Sequence, residues 1–185
     1  QQGRSIVDIE GEGDRQYLTG LFMGGRNILI ALDSSASMLD DTIVNVLRRR
    51  HMSLERRLAA PKWARAVRTV EWLTAQLPLD SEFQVVTFNT KVQTIFPTDE
   101  WYGTTETDAI EGALEKLRNM PPEDGTALDP LFLHIAQMDP LPDNVFLIVD
   151  GLPTQSGDKP PRKATVTGRQ RMNLFNDAVR RVPPQ

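Results

Sequence analysis

Short apolar runs of strand length alternate with longer amphipathic segments along this chain, and this alternation restricts its fold more than any other feature. Apolar runs suit parallel strands buried on both faces, whereas the longer segments repeat their apolar residues at helical spacing. Such alternation is typical of an α/β sheet with helices on both faces. The predicted strands are residues 27–32, 83–88, 92–96 and 144–149, and the predicted helices are residues 61–77, 105–120, 127–138 and 171–182.

One predicted strand must run against the others. Only three residues separate residue 88 from residue 92, which is too short for a parallel crossover. We therefore expect an α/β doubly wound, mostly parallel sheet with one antiparallel edge strand. Ligands of such sheets bind at the carboxyl ends of the strands. Trp101 and Tyr102 follow the antiparallel strand, so we expect them at the opposite end of the sheet, in packing or a secondary contact and outside the site.

Hydroxyl and carboxyl side chains follow two of the buried strands. Hard divalent cations such as Mg²⁺ prefer oxygen ligands of this kind. A turn after the first strand can aim Asp33, Ser35 and Ser37 at one point, and Thr126 and Asp150 can reach it from neighbouring loops. The sequence is Asp-Ser-Ser-Ala-Ser at 33–37, Gly-Thr at 125–126 and Asp-Gly-Leu-Pro-Thr at 150–154. The alternative is that these residues only cap helices and shape turns.

In this order, Asp-x-Ser-x-Ser, Gly-Thr and Asp-Gly-x-Pro-Thr resemble the metal-ion-dependent adhesion site of von Willebrand factor A domains, whose fold is Rossmann-like. The resemblance covers residues 27–182. It implies that Ser35 and Ser37 bind the metal directly and Thr126 binds it directly or through water. It implies that Asp33 and Asp150 act mainly through water and by hydrogen bonding the serines. The implied ion is Mg²⁺, with Mn²⁺ or Ca²⁺ as alternatives, and an Asp or Glu of a protein partner fills its open position.

The resemblance also divides the chain. Residues 1–26 are interpreted as an N-terminal extension or linker with a possible short strand at residues 5–9, and residues 27–182 as the domain. The family adds a further parallel strand and a closing helix after the last helix predicted here. We therefore expect a C-terminally incomplete sheet, whose open edge another segment would have to cover, and residues 5–9 are one candidate.

Residues 39–60 are longer than the family's usual connection and strongly basic. Between residues 42 and 59 there are five arginines and one glutamate, which gives this segment a charge of +4. Since the net charge of the whole chain is −4, the remaining residues together carry −8. This insertion leaves the metal-bearing end of the sheet. Arg48, Arg49 and Arg50 would then form a basic rim that steers an acidic partner. The alternative is a solvated helix with arginines spread over its surface.

Asp40 and Asp41 follow the serine loop directly. Integrin β subunits carry an acidic pair at this spacing and use it in an adjacent calcium site. The pair is therefore a candidate second cation site. The alternative is that one of the two residues caps the inserted helix.

Composition and missing motifs narrow the functional classes. The chain has no cysteine, which excludes thiolate metal sites, and its negative charge opposes nucleic-acid binding. No apolar run approaches the ~20 residues of a transmembrane helix. Ser35 stands where an aspartyl-nucleophile phosphatase needs a second Asp, and no nucleophile elbow or P-loop is visible. Together with the absence of cysteine, the resemblance to von Willebrand factor A domains implies a non-enzymatic, metal-dependent protein-binding module outside the cytoplasm, either periplasmic or at the cell surface. A metal-independent scaffold domain and a metal-assisted hydrolase are the alternatives.

Overall fold

The computed structural model describes residues 25–156 and 166–180. The possible strand at residues 5–9, most of the N-terminal extension and Val182 of the last predicted helix lie outside these residues. The strands are β1 (Asn27–Asp33), β2 (Glu82–Phe88), β3 (Val92–Thr94), β4 (Tyr102–Gly103) and β5 (Asn144–Ile148). The helices are α1 (Ile43–Arg50), α2 (Leu54–Leu58), α3 (Pro61–Ala75), α4 (Thr107–Arg118), α5 (Asp129–Gln137) and α6 (Gly168–Val179), and a 3₁₀ turn spans Ala36–Leu39.

The strands form one mixed sheet in the order β3-β2-β1-β5. β1 lies in the middle and pairs in parallel with β2 on one side and with β5 on the other. β3 pairs antiparallel with β2. The predicted mostly parallel sheet with an antiparallel edge strand is therefore confirmed. The carboxyl ends of the parallel strands β1, β2 and β5 lie side by side at one end of the sheet.

Alternate residues of β1 belong to separate cores on the two faces of the sheet, as the period of a strand requires. Ile28, Ile30 and Leu32 pack in a core with residues of α3 and α4. Leu29 and Ala31 pack in a second core with residues of α5 and α6. Every residue of β1 is buried. Helices therefore cover both faces of the sheet, and the end of β1 is fixed at the centre of the fold.

α3 begins where the sequence predicts it. Pro61 occupies the first turn, where its missing N–H costs nothing. Trp63, Val67 and Val70 face the first core at helical spacing and are buried. α3 follows the segment that leaves the carboxyl end of β1, and this packing holds the first turn of α3 beside that end of the sheet.

β5 was expected to be buried, and this expectation is wrong for one of its faces. Val145 and Leu147 are 41% and 37% exposed, whereas their register partners on β1, Leu29 and Ala31, are fully buried. Within the described residues β5 pairs only with β1, so it lies at the edge of the sheet. The apolar face predicted for the last helix is also partly exposed, because only Phe175 and Ala178 of α6 pack in the second core, while Met172 and Val179 remain accessible.

β4 was not predicted from the sequence. Its two residues pair antiparallel with the start of β2, where Tyr102 lies opposite Phe83. Tyr102 stacks on Phe96, and the indole N–H of Trp101 donates to the carbonyl of Pro140. The expected packing roles of these two aromatic residues, at the end of the sheet opposite Asp33, are confirmed. None of the helices described is both long enough and apolar enough to cross a membrane.

The unequal burial of the two sides of the sheet leads to a stability prediction. Leu29→Ala should lower the free energy of unfolding by about 2–5 kcal/mol, because it leaves a cavity in a closed core. Val145→Ala, at the paired position on β5, should cost less than about 1 kcal/mol, because this side chain is already partly hydrated. Urea denaturation followed by far-UV circular dichroism measures both, and equal losses would mean that the exposed face of β5 is covered in solution.

Candidate functional site

Asp33 ends β1 and is completely buried. One carboxylate oxygen, Oδ1, accepts a hydrogen bond from the backbone N–H of Ser35 at 2.7 Å. The other, Oδ2, is buried without a hydrogen-bond partner in the structure. Buried charged oxygens are costly unless they are paired, so this atom identifies a place where a positive ligand would be stabilised.

The surroundings of Asp33 disfavour its charged form. The pKa of Asp33 is raised from 3.8 to about 6 by burial and, to a lesser extent, by the nearby charge of Asp150, while the polar groups of Ser35 and Thr126 act in the opposite direction. Desolvation is the largest of these causes. The site therefore holds an unfavourable negative charge near neutral pH, which a cation would neutralise.

A chain of hydroxyl groups connects the three predicted segments. Thr126 Oγ1 donates to Ser35 Oγ at 2.9 Å, and Ser35 Oγ and Ser37 Oγ share a hydrogen bond of 2.8 Å. Ser37 Oγ then donates to Asp150 Oδ1 at 3.1 Å. With the bond between Asp33 and Ser35, the structure brings together all five residues for which the sequence predicted metal binding. It shows their proximity, and their role towards a metal stays a prediction.

Backbone hydrogen bonds between the loops fix this arrangement. The N–H of Glu123 donates to the carbonyl of Ser34 at 2.8 Å, and the N–H of Ala36 donates to the carbonyl of Asp124 at 2.9 Å. The N–H of Thr126 donates to the Thr154 hydroxyl at 3.0 Å, and the N–H of Thr154 returns a bond to the Thr126 carbonyl at 2.9 Å. The loop of Thr126 is therefore tied to the serine loop and to the segment after β5.

Gly125, in the same loop, leaves room for the segment that follows β5. A Cβ atom at this position would collide with the side chain of Gln155 and lie 3.2 Å from Thr154 Oγ1. The small residue before Thr126 thus allows the Gln155 side chain to lie against this loop, and a larger residue there would require that side chain to move.

Lys62, in the first turn of α3, completes the polar edge of the site. Its ammonium group donates to Asp150 Oδ2 at 2.7 Å and to the carbonyls of Ser37 and Asp40 at 3.1 and 3.5 Å. The sequence analysis missed this residue because it belongs to none of the three motifs. The topology could have indicated Lys62, since a helix that follows β1 begins near the carboxyl ends of the strands. A cation in the first turn of that helix is unfavourable to the helix dipole and therefore needs an acidic partner nearby.

The structure gives Asp40 contacts with protein groups. Its carboxylate accepts from the backbone N–H of Asp41 at 2.9 Å, from Asn45 Nδ2 at 3.2 Å and from Arg49 Nε at 2.9 Å. These bonds, led by that of Arg49, hold the pKa of Asp40 below its ordinary value. The alternative role as helix cap is wrong for both residues, because the N-cap of α1 is Thr42, whose side chain accepts from the backbone N–H of Asn45. The Asp41 side chain is 90% exposed, and a second cation at this pair stays a prediction.

The three arginines of the predicted rim lie on different sides of α1. Arg49 faces inward and pairs with Asp40, whereas Arg48 and Arg50 are exposed. The helix therefore presents two accessible guanidinium groups beside the loop that carries Ser37. His51 ends this helix, and no residue of α1 is buried.

The ligand set determines what kind of ion the site can take. Among residues 25–156 and 166–180 there is no group of three or more His, Asp or Glu residues that could hold a metal. A cation at Asp33 would therefore depend on two carboxylates and on the hydroxyls of Ser35, Ser37 and Thr126. A donor set of oxygen atoms alone suits Mg²⁺, Mn²⁺ or Ca²⁺.

Comparison with known proteins places the chain in no family. No family model matches the sequence. No curated protein matches it either. Solved structures do show some likeness. They include a von Willebrand factor type A protein from Catenulispora acidiphila, with 18% identity over 61% of this chain and 22% of that one, at a TM-score of 0.46.

Two further structures show similar agreement. The proximal thread matrix protein 1 of the mussel byssus, with a zinc-occupied MIDAS motif, is 18% identical over 83% of this chain and 36% of that one, at a TM-score of 0.45. The von Willebrand factor domain of the type V pilus tip protein Mfa5 from Porphyromonas gingivalis is 17% identical over 78% of this chain and 43% of that one, at 0.42. The chain thus spans less than half of each of these structures, and likenesses this weak carry no inference about ligand or partner.

The buried charge of Asp33 leads to a prediction for the protein kept in EDTA. Because folding raises the pKa of this group, the folded state binds its proton more tightly, so stability should fall as pH rises from 3.8 to about 6. Asp33→Asn removes this charge and should raise the melting temperature near neutral pH. Asp150→Asn is the control and should bring no gain, because it removes a partner of Lys62. A lower melting temperature for Asp33→Asn would contradict the prediction.

Proposed function

We propose that this domain binds one divalent cation, most suitably Mg²⁺, at Asp33, Ser35, Ser37, Thr126 and Asp150, and uses it to capture a carboxylate of a protein partner. The observation that carries the proposal is Asp33 Oδ2, a buried carboxylate oxygen without a hydrogen-bond partner, beside a chain of hydroxyl groups. A cation would neutralise this oxygen and accept lone pairs from the hydroxyls. The sequence motifs that resemble the adhesion site of von Willebrand factor A domains support the same assignment.

The hydroxyl ligands determine what the bound cation does. Ser35, Ser37 and Thr126 are neutral, so these three ligands do not reduce the cation's charge. A cation that retains positive charge attracts a further anionic oxygen. The acidic side chain of a partner, Asp or Glu, supplies this oxygen, and the contact is short-range and depends on the metal.

α1 supplies a second contact surface for the partner. Ile43, Val44 and Leu47 are 72%, 55% and 52% exposed. At about 100° per residue they lie on one side of the helix, and Arg48 and Arg50 flank them on either side. An apolar stripe between two guanidinium groups is complementary to a partner segment that carries both apolar and acidic side chains.

A binding role agrees better with this site than catalysis does. Asp150 is engaged by Ser37 and Lys62, and Asp33 is completely buried, so neither carboxylate is placed to take a proton from a substrate in solution. We therefore propose an interaction module and no enzymatic activity. A position outside the cytoplasm, where adhesion modules act, belongs to the same proposal.

Metal titration tests the site directly. Isothermal titration of chelator-treated protein with Mg²⁺ and with Mn²⁺ should show about one site for each ion. Ser37→Ala and Asp33→Ala should weaken binding by about tenfold or more, because each removes an oxygen at the centre of the site. Ser34→Ala is the matched control, since the Ser34 hydroxyl donates to the carbonyl of Phe88. Unchanged affinity in Ser37→Ala and Asp33→Ala would show that the ion binds elsewhere.

The basic rim should act on association. The probe is an immobilised peptide of alternating Glu and Leu residues, compared with its Gln–Leu counterpart, in surface plasmon resonance with Mg²⁺. The double variant Arg48→Ala/Arg50→Ala should associate about three- to tenfold more slowly at low salt, and less so at physiological salt, where the field is screened beyond about 8 Å.

Two controls separate the rim from net charge and from the metal contact. Arg169→Ala/Arg171→Ala removes two positive charges from α6 and should leave association unchanged. EDTA should instead raise the dissociation rate and abolish most binding. An unchanged association rate in the Arg48/Arg50 variant would mean that α1 is only a solvated helix, and binding that persists in EDTA would refute the metal contact.

A further inference from the structure

The ammonium group of Lys62 is held in a complete set of oxygen acceptors. It has three N–H bonds, and the three acceptors around it are Asp150 Oδ2, the Ser37 carbonyl and the Asp40 carbonyl. Asp41 Oδ1 adds a longer ionic contact of 3.6 Å. The Lys62 and Asp150 side chains are only 23% and 13% exposed. The charge is therefore fixed at the site and partly shielded from water.

The fold gives this lysine little freedom to leave. Ala60, the N-cap of α3, and Trp63, in its first turn, are 0% and 1% exposed and anchor the turn in the core. A lysine in the first turn of a helix is repelled by the positive end of the helix dipole. Its position is thus stabilised by Asp150 and the two carbonyls, which belong to the same edge as the predicted cation ligands.

The charges of the site then have a simple consequence. The Asp41 side chain is 90% exposed, so water screens its charge. With Asp33 and Asp150 ionised, their two carboxylates and the Lys62 ammonium then leave one net negative charge in the site. A divalent cation converts this to one net positive charge, whereas without the lysine the loaded site would be neutral. A fixed positive charge repels the incoming metal and attracts the carboxylate that follows it.

We propose that Lys62 sets the charge of the cation site, so that it weakens the binding of the divalent cation and strengthens the binding of the partner's carboxylate to the loaded site. This inference rests on the proposed function. It assigns to Lys62 a positioning and charge-setting role towards Asp150, without direct contact with the metal. Lys62 therefore lowers the affinity for the metal and raises the affinity for the carboxylate. A purely structural residue would affect both affinities in the same direction, so the two roles can be distinguished.

The test compares Lys62→Met, which retains the length of the side chain without its charge, with Lys62→Arg, which retains the charge. Isothermal titration with Mg²⁺ alone should give about tenfold tighter binding for Lys62→Met than for the natural protein, a change of about 1.4 kcal/mol. At saturating Mg²⁺, the same variant should bind the Glu–Leu peptide about tenfold more weakly. Lys62→Arg should remain within about threefold of the natural protein in both titrations, since it retains the charge.

The controls exclude folding defects and effects of total charge. Lys116→Met removes one positive charge from α4, where the ammonium group donates to the carbonyl of Thr94, and should change neither affinity. A variant with a damaged site would lose both affinities together, which would overturn the proposal, as would equal affinities in Lys62→Met and the natural protein. If Mg²⁺ binds to neither protein, the proposed cation site itself is wrong, and if it binds only to Lys62→Met, the repulsion by Lys62 is demonstrated directly.

Discussion

The unpartnered Oδ2 of the buried Asp33 carboxylate is the constraint on which the rest of the site depends. The central strand β1 is buried throughout, so the fold holds this negative charge away from water at the point where three parallel strands end. The backbone N–H of Ser35 satisfies one oxygen only. A positively charged ligand is the simplest way to compensate the other, and the neighbouring hydroxyls provide the remaining oxygen atoms.

The groups around Asp33 are, in order, neutral hydroxyls, a second carboxylate and an ammonium group. The hydroxyl chain from Thr126 to Ser37 is neutral and ends at Asp150 Oδ1, and Lys62 pairs with the other carboxylate oxygen of Asp150. This order matters because a site lined only by carboxylates would bind a cation tightly and leave it neutral. A site built from hydroxyls and balanced by an ammonium group instead leaves charge on the cation for a partner.

The basic insertion is joined to the same edge by a specific contact. Arg49 pairs with Asp40, immediately after the 3₁₀ turn that contains Ser37, and this pair orients α1 so that its apolar stripe and the other two arginines face outward. Asn45 of the same helix also donates to Asp40, so two side chains hold α1 to the serine loop. The proposed partner surface and the cation site are therefore parts of one edge of the sheet.

The sequence by itself determined the strands, the antiparallel turn, the helix at Pro61 and the five oxygen-bearing residues at the strand ends. The strands and the helix depend on local periodicity, whereas the five residues depend on the order of the three motifs and on the rule that parallel strands end on the same side of a sheet, so no distances were needed. Only the tertiary structure decided that Lys62 pairs with Asp150, that Asp40 is engaged by Arg49, that β4 adds to β2 and that one face of β5 is exposed. Each of these depends on contacts between residues that are distant in sequence or on which neighbouring element covers a face, and periodicity along the chain carries no information about either.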